Sequence, residues 1–356
     1  MGLRVRSERG RSVRQDEETI AAVVVTYNRK DLLGQCLDSL LRQSHPLDAL
    51  YVIDNHSTDG TYDSLLAREL IAPSECRAEV AVETSRPVPL AGFPDRRLEV
   101  HYVRMPENTG GAGGFHEGMK RAAAAGRDPQ RDPSRLGTRF DWLWLMDDDL
   151  LTAPDALEIL VRKKNALQRS REEPFLLNSL VLARDRTDGD TLASPLQELT
   201  LRGYPRRGIY HWRLSEVRDK IQDGLYRWAC PFNGTLVPVC ALAKIGLPNR
   251  DFYIQGDEKD FLWRAAQWLA FYTVIDSKVF HPAFHVDAFD WKTYYSIRNM
   301  FVVNRHFNFT ALRNLRLILR SLVRGVRHGP GGLALVLRAI QDGLSGRLGR
   351  REDLGR

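Results

Sequence analysis

Cysteine is scarce: Cys36, Cys76, Cys230 and Cys240 are the only four in 356 residues, and none forms a CxxC pair or groups with histidine at zinc spacing. That excludes a disulfide framework and a zinc module, and predicts four reduced thiols in a cytosolic protein. No apolar run reaches the roughly 18 residues of a spanning helix, so none is expected. The start, MGLRVRSERGRSVRQDEE, lacks the apolar stretch of a secretory signal and reads as a basic, flexible arm over 1–17.

Charge is present but unevenly spread. Of the net +7, residues 1–14 contribute +4, and residues 296–356 contribute +9 through twelve arginines, no lysine and three acids; the body between carries −6. A nucleic-acid-binding domain more often carries its basic charge on the folded body, so nucleic acid is not an expected partner. Basic ends on an acidic body suit a membrane surface or flexible arms. With 43% hydrophobic residues the chain has material for a large core.

Apolar runs alternate with helical periodicity. Residues 20–26, 49–53, 98–103 and 140–146 read as buried strands, and 31–42 spaces Leu32, Leu33, Cys36, Leu37, Leu40 and Leu41 as a helix. Further strands are expected near 176–182, 233–239 and 271–276, and a helix over about 257–268. Residues 72–97 and 126–139, rich in proline, arginine or glycine, are expected to be loops. The alternation predicts an α/β fold, a doubly wound, mostly parallel sheet with function at the carboxyl ends of its strands. In 311–327, Arg313, Arg316, Arg320, Arg324 and Arg327 share one helical face, while Leu315, Ile318, Leu319, Leu322 and Val326 fill the other. Such a helix either caps the domain or lies in a membrane interface; a weaker amphipathic stretch follows over 332–348.

Polar residues gather where strands end. Asp147, Asp148 and Asp149 follow an apolar strand containing Trp142 and Trp144. Three adjacent carboxylates repel one another unless a cation offsets them, and such oxygen donors suit Mg2+ or Mn2+ holding a diphosphate. Asn108 to Gly114 has four glycines in seven residues before a helix. It permits either a tight strand–helix turn or close approach of a phosphate or sugar to backbone amides. The segment is neither GxGxxG nor a Walker loop, which removes the dinucleotide and P-loop readings. Gly256-Asp257-Glu258-Lys259-Asp260 opens a helix with three acids in four residues. These offer either a general base with positioning partners or simple complements to the helix dipole. His281 ends a strand and His285 follows; either is a candidate to join the carboxylate-held metal through a neutral imidazole.

In order and spacing, several pieces resemble the inverting family-2 glycosyltransferases of GT-A fold. They are Val25-Thr26-Tyr27-Asn28-Arg29, Val52-Ile53-Asp54-Asn55 with Ser57-Thr58-Asp59-Gly60, Asn108 to Phe115, Trp144 to Asp149, Phe232-Asn233-Gly234, Gly256-Asp257-Glu258 and His281-Pro282. The resemblance spans about residues 20–305. The phrases NTGGAGGF, WLMDDD, FNGTL, GDE and YYSIRN are similar to those of galactofuranosyltransferases that act on polyprenyl-linked acceptors, and rhamnosyltransferases share much of the pattern.

The resemblance implies a catalytic domain over 18–305, with a nucleotide-binding half to about 150, an acceptor half from 151, and a basic helical region over 306–356. It places Thr26, Tyr27, Asn28 and Arg29 at the nucleotide base and Asp54 and Asn55 at the uridine. Asn108, Gly113, Gly114 and Asp148 fall along the nucleotide-sugar, and Asp147, Asp149 and His281 around Mn2+ or Mg2+. Glu258 matches the base position, usually Asp in the family, and Asp257 is the alternative one residue earlier. Trp228, Asn233 and Trp291 are candidates for the acceptor side; the two tryptophans, with Trp212, either stack on sugars or belong to the core.

The implied reaction is a metal-dependent single displacement that inverts the anomeric carbon. It carries galactofuranose from UDP-galactofuranose to a polyprenyl-linked glycan, or rhamnose from dTDP-rhamnose as the alternative. The implied location is cytoplasmic, peripheral on the inner face of the cell membrane. A nucleotidyltransferase is disfavoured because Thr26 to Arg29 lacks that class's Gly-rich basic loop. A non-catalytic membrane-surface scaffold is disfavoured because it has no need for Asp147, Asp149 and Glu258.

Overall fold

The computed structural model describes residues 18–74, 80–124, 140–170, 173–199, 205–228, 232–283 and 289–354. The first half contains β1 (Ile20–Thr26), α1 (Lys30–Leu41), β2 (Ala49–Asp54), α2 (Thr61–Ala67), β3 (Val82–Leu90), β4 (Phe93–Arg104), α3 (Gly110–Ala124), β5 (Trp142–Asp147), β6 (Leu151–Thr152), α4 (Ala156–Ser170) and β7 (Phe175–Ala183). The second half adds β8 (Thr191–Leu199), β9 (Pro205–Arg213), β10 (Leu225–Tyr226), β11 (Thr235–Pro238), α5 (Leu242–Ile245), α6 (Asp257–Ala265), β12 (Ala270–His281), α7 (Trp291–Val303), α8 (Thr310–Arg327) and α9 (Gly329–Ser345).

The main sheet runs β10-β12-β7-β11-β5-β1-β2-β4-β3. β1 lies parallel to both β2 and β5, β2 is parallel to β4, and β11 is antiparallel between β5 and β7. Every residue of β1 is buried, because helices cover both faces of the sheet. Ile20, Ala22 and Val24 join Leu33, Leu37 and Leu40 on one face; Ala21, Val23 and Val25 join Phe115 and Met119 on the other. The connection order reverses at β1, so a crevice opens at the carboxyl ends of β1 and β5.

The expected doubly wound α/β fold is present, with two departures. Most of the second half of 72–97 is not loop: β3 and the start of β4 form an antiparallel hairpin. β3 carries Pro87 and Pro89, which disguise it in the sequence. As an edge strand paired only with β4, it loses no ladder bond to their missing N–H groups. The helices α4 and α7 also went unread. The segments 1–17 and 126–139, together with Cys76, Cys230 and His285, lie outside the described residues. Cys36 and Cys240 are free thiols.

The C-terminal helix α8 forms as expected, but its apolar residues divide between two faces. It packs on α9 through the small residues Ser321 and Gly325; a Cβ on Gly325 would stand 3.0 Å from Val336 Cγ2. Leu317, Ile318 and Leu322 face a core shared with α7 and α9. Leu312, Leu315, Leu319, Val323 and Val326 are instead 46–63% exposed and make an outward ridge beside Arg316, Arg320 and Arg327.

Candidate active site

Strand register gathers the acidic triplet. Asp147 ends β5 opposite Val25 of β1. The turn after it leads into β6, which pairs with the end of β12 through Phe280↔Leu151 and so delivers His281 to Asp149. Thr26 Oγ1 donates to Asp148 Oδ2 at 2.7 Å. Arg29 donates from one nitrogen to Asp148 Oδ1 at 3.1 Å and to Asp149 Oδ2 at 2.7 Å. Thr26 and Arg29 were expected at the nucleotide base; the structure ties both to the carboxylates.

His281 Nδ1–H donates to the Pro282 carbonyl at 2.6 Å, which leaves Nε2 as the atom that meets Asp149. That Nε2 lies 3.1 Å from Asp149 Oδ1, an ion pair when the ring is protonated; among the described residues that buried oxygen makes no other hydrogen bond. Asp147, Asp149 and His281 each present a ligand atom within 4.8 Å of the others. Two buried carboxylates and an oriented imidazole, close enough to share one ion, fit a divalent cation.

The electrostatics agree with that reading. Burial, then the charge of Asp149, pushes Asp147 up to about 7. Burial pushes Asp148 up to about 6, against the pull of Arg29 and Thr26. Burial also acts on Asp149, but His281 and Arg29 outweigh it and hold Asp149 below the usual carboxylate range. His281 is raised despite its burial, by Asp149 and then Asp147.

The neighbouring strand ends build a floor. Asp54 is fully buried and accepts from the Tyr102 hydroxyl at 2.5 Å and from Ser57 N–H at 2.7 Å. Asn55 donates to the Gly110 carbonyl at 2.9 Å and accepts from Thr109 Oγ1 at 2.8 Å. Asn28, with φ of 52°, links the loops after β1 and β2: its N–H donates to Ser57 Oγ, and its Oδ1 accepts from Thr58 N–H at 2.7 Å. Tyr27 stands exposed at the rim. Asn108 Oδ1 accepts from Gly110 N–H at 2.8 Å and starts α3.

The glycine run has a packing cause. A Cβ on Gly114 would stand 2.3 Å from Val25 Cγ1, and one on Gly113 would stand 2.3 Å from Thr109 Oγ1. One on Gly110 would stand 1.9 Å from the Tyr253 carbonyl oxygen, and Gly110 has φ of +69°. Of these four glycines, Gly111 alone faces open space. Gly110→Ala is therefore expected to destabilise the chain by more than about 1 kcal/mol, since neither the φ nor the backbone contact tolerates a side chain. Urea unfolding measures this; an unchanged midpoint would refute the fit.

Opposite the triplet, Gly256 (φ +92°) turns the chain into α6. Asp257 is 5% exposed. Burial, then the charge and hydrogen bond of Glu258, pushes it well above the usual range, and Asp147 adds to the rise. Glu258 also accepts from Gly256 N–H at 3.2 Å. The two acids thus stand side by side at the start of α6. Asp260 is elsewhere engaged, with His306 at 2.7 Å and with Arg264.

Asn233 sits at the same end of the sheet, since Gly234 N–H donates to the Leu145 carbonyl. It is 5% exposed, and among the described residues its Oδ1 has no hydrogen-bond partner. Trp291 packs on Tyr253 and Tyr295 and stays partly exposed. Trp228 is expected on the acceptor side; among the described residues the structure packs it with Leu180, Leu182 and Tyr226 in a core. The sequence reading missed Tyr102, which holds Asp54, and the pair Arg298–Asn299 behind α6. The phrase YYSIRN was the signal for the latter.

The sheet thus gathers Asp147, Asp149 and His281 at its switch point, with Asp257 and Glu258 opening α6, on the architecture of the GT-A glycosyltransferases. Solved structures share the fold. The structure of GalNAc-T7 with UDP, GalNAc and Mn2+ matches with a TM-score of 0.55 at 12% identity, over 94% of this chain and 57% of that one. Staphylococcus aureus TarS 1–349 with UDP-GlcNAc matches at 0.51 and 12%, over 92% and 81%. The chain belongs to glycosyltransferase family 2. The model of that family, Glycosyl transferase family 2, matches residues 21–80. Galactofuranosyltransferase GlfT1 of Mycobacterium tuberculosis is 33% identical over 270 residues, 74% of this chain and 70% of the relative. GlfT1 of Mycolicibacterium smegmatis is 30% identical over 272 residues, 74% and 71%.

Proposed function

We propose that this glycosyltransferase moves galactofuranose from UDP-galactofuranose onto a polyprenyl-linked glycan in one inverting displacement. The observation that carries the reading is the set Asp147, Asp149 and His281, whose ligand atoms lie within 4.8 Å of one another at the strand ends; Asp257 and Glu258, in the first turn of α6, supply the acids for proton transfer, and the likeness to the GlfT1 relatives supplies the sugar. Asp147, Asp149 and His281 would hold Mn2+ or Mg2+, which when bound offsets the charge of the departing diphosphate. Tyr27 stacks on the base, Asn28, Asp54 and Asn55 shape its pocket, and Thr26 and Arg29 hold the carboxylates of Asp148 and Asp149. Asn108, the backbone at Gly113 and Gly114, and Asp148 lie along the nucleotide-sugar. Glu258, or Asp257 in its place, takes the proton from the acceptor hydroxyl as that oxygen attacks the anomeric carbon. Asn233 and Trp291 orient the acceptor. On this reading residues 18–150 bind the donor, 151–305 the acceptor, and 306–356 the surface on which the acceptor lies. The test is transfer from UDP-galactofuranose to a polyprenyl-linked glycan, with the product anomer read by NMR. Transfer from dTDP-rhamnose in its place, or retained configuration, would overturn it.

The same proposal includes a peripheral seat on the inner face of the membrane. Among the described residues no helix is long and apolar enough to cross a bilayer. The α8 ridge of Leu312, Leu315, Leu319, Val323 and Val326, flanked by arginines, matches an interfacial helix on anionic lipid. Each arginine near the surface adds about 1 kcal/mol. Leu315→Asp with Leu319→Asp is expected to abolish co-sedimentation with anionic liposomes while leaving the fold intact, because both side chains are exposed. Undiminished co-sedimentation would remove this part of the proposal.

A further inference from the structure

The loop that launches the base pair is held in an unfavourable shape. Tyr253, Gln255 and Gly256 have φ of +66°, +67° and +92°, and two of them carry side chains, for which that region is disfavoured. Backbone of this kind persists only where its surroundings over-determine it. Here the surroundings are two consecutive residues of α7. Asn299 Nδ2 donates to the carbonyls of Phe252, Ile254 and Gln255 at 3.1, 3.0 and 2.6 Å. Arg298 Nε donates to Asn299 Oδ1 at 2.9 Å and so sets which way that amide faces.

Arg298 is itself fully buried, with its guanidinium 4.8 Å from the Tyr295 ring centroid and 5.4 Å from that of Tyr294. Its remaining nitrogens donate to backbone: to Phe252 O at 3.0 Å, to Asp251 O at 3.5 Å and to Gly349 O at 2.6 Å. Gly349 N–H closes the ring by donating to Asp251 O at 2.7 Å. Burying a cation to satisfy main-chain carbonyls is costly compared with an apolar side chain of the same size, so what it organises is informative. The loop so held also touches the other side of the site, because Ala112 N–H, in the first turn of α3, donates to the Tyr253 carbonyl at 3.1 Å.

We infer that Arg298 and Asn299 are positioning residues for the transfer step. They lock residues 251–256 so that Asp257 and Glu258 meet the acceptor hydroxyl, and the segment after α9, through Gly349, is the third member of that lock. The inference rests on the proposed role of Asp257–Glu258 as the base. It joins the proposed lipid-facing helices to the base loop through the chain itself.

The experiment compares Asn299→Leu, Arg298→Met and Gly349→Pro with Asp257→Asn and Glu258→Gln in the full-length protein. Transfer kinetics, Mn2+–UDP affinity and the melting temperature are measured for each. Gly349 lies in a surface turn, so its variant keeps the test open if the buried substitutions fail to fold. A displaced reacting group of this kind costs about 100-fold in rate. The expected result is therefore a kcat lowered by about that factor in the clasp variants, with UDP affinity within about twofold of wild type. Variants that melt at the wild-type temperature and keep wild-type kcat would overturn the inference alone, provided that the acid-pair variants lose kcat. If Asp257→Asn and Glu258→Gln also keep kcat, the reading of the base falls with it. A parallel loss of UDP affinity and melting temperature would mark a structural role only and overturn the inference.

Discussion

Replacing the proposed base is expected to lower kcat by about 10²- to 10⁴-fold, the usual contribution of a positioned proton acceptor, with Mn2+-dependent UDP binding nearly unchanged. Glu258→Gln and Asp257→Asn preserve shape and remove the ability to take a proton. Burial, then the charge and hydrogen bond of the adjacent Glu258, push the Asp257 carboxyl up, so a change at one acid is felt at the other. The double variant is therefore expected to lose little more than the more damaging single one, as groups acting together show non-additive effects. Steady-state transfer kinetics on the three variants, with calorimetric UDP titrations beside them, check this. Losses that multiply in the double variant would mean two separate roles.

Asp149→Ala is expected to abolish divalent-dependent UDP binding and to cut transfer by at least about 10³-fold, since several kcal/mol of charge stabilisation leaves with the ion. The pH dependence follows from the same geometry. Asp147 is pushed up to about 7 and Asp148 to about 6 in the metal-free chain, so the native state holds protons that the unfolded chain releases near its ordinary value of 3.8. A carboxyl raised in this way makes the native state lose stability as pH rises from that value to about 7, and a cation must displace its proton. Mn2+ affinity, and the rise in melting temperature that Mn2+ gives, should therefore grow from pH 6 to pH 8. An ion affinity flat across that interval would argue against Asp147 as a ligand.

Much of this site was legible before any coordinates. A buried parallel strand announces itself by an unbroken β-branched run, and the polar residues that follow mark its carboxyl end; Thr26, Asp54 and Asp147 were found in that way. His281 was reachable because a strand end and a histidine coincide. What the sequence withheld depends on register and side-chain direction. Nothing in Arg29 tells that it bridges Asp148 and Asp149, because that contact spans more than a hundred residues. The glycines of α3 admit two explanations on spacing, and the distances to Val25, Thr109 and Tyr253 bring in close packing. Trp228 looks like a sugar platform until its neighbours are known. In α8, periodicity separates arginine from leucine but not the leucines that pack from those that face outward; Ser321 and Gly325 decide that by admitting α9.

The most direct test of a metal-dependent nucleotide-sugar site at the ends of β1, β5 and β12 is calorimetric titration of the purified protein with UDP. It is run with and without Mn2+, with dTDP in parallel, and repeated on Asp149→Ala. The account predicts UDP binding that requires the ion, exceeds that of dTDP and vanishes in the variant. Binding of UDP with equal affinity in the absence of any divalent ion, or no binding of either nucleotide by folded protein, would contradict it.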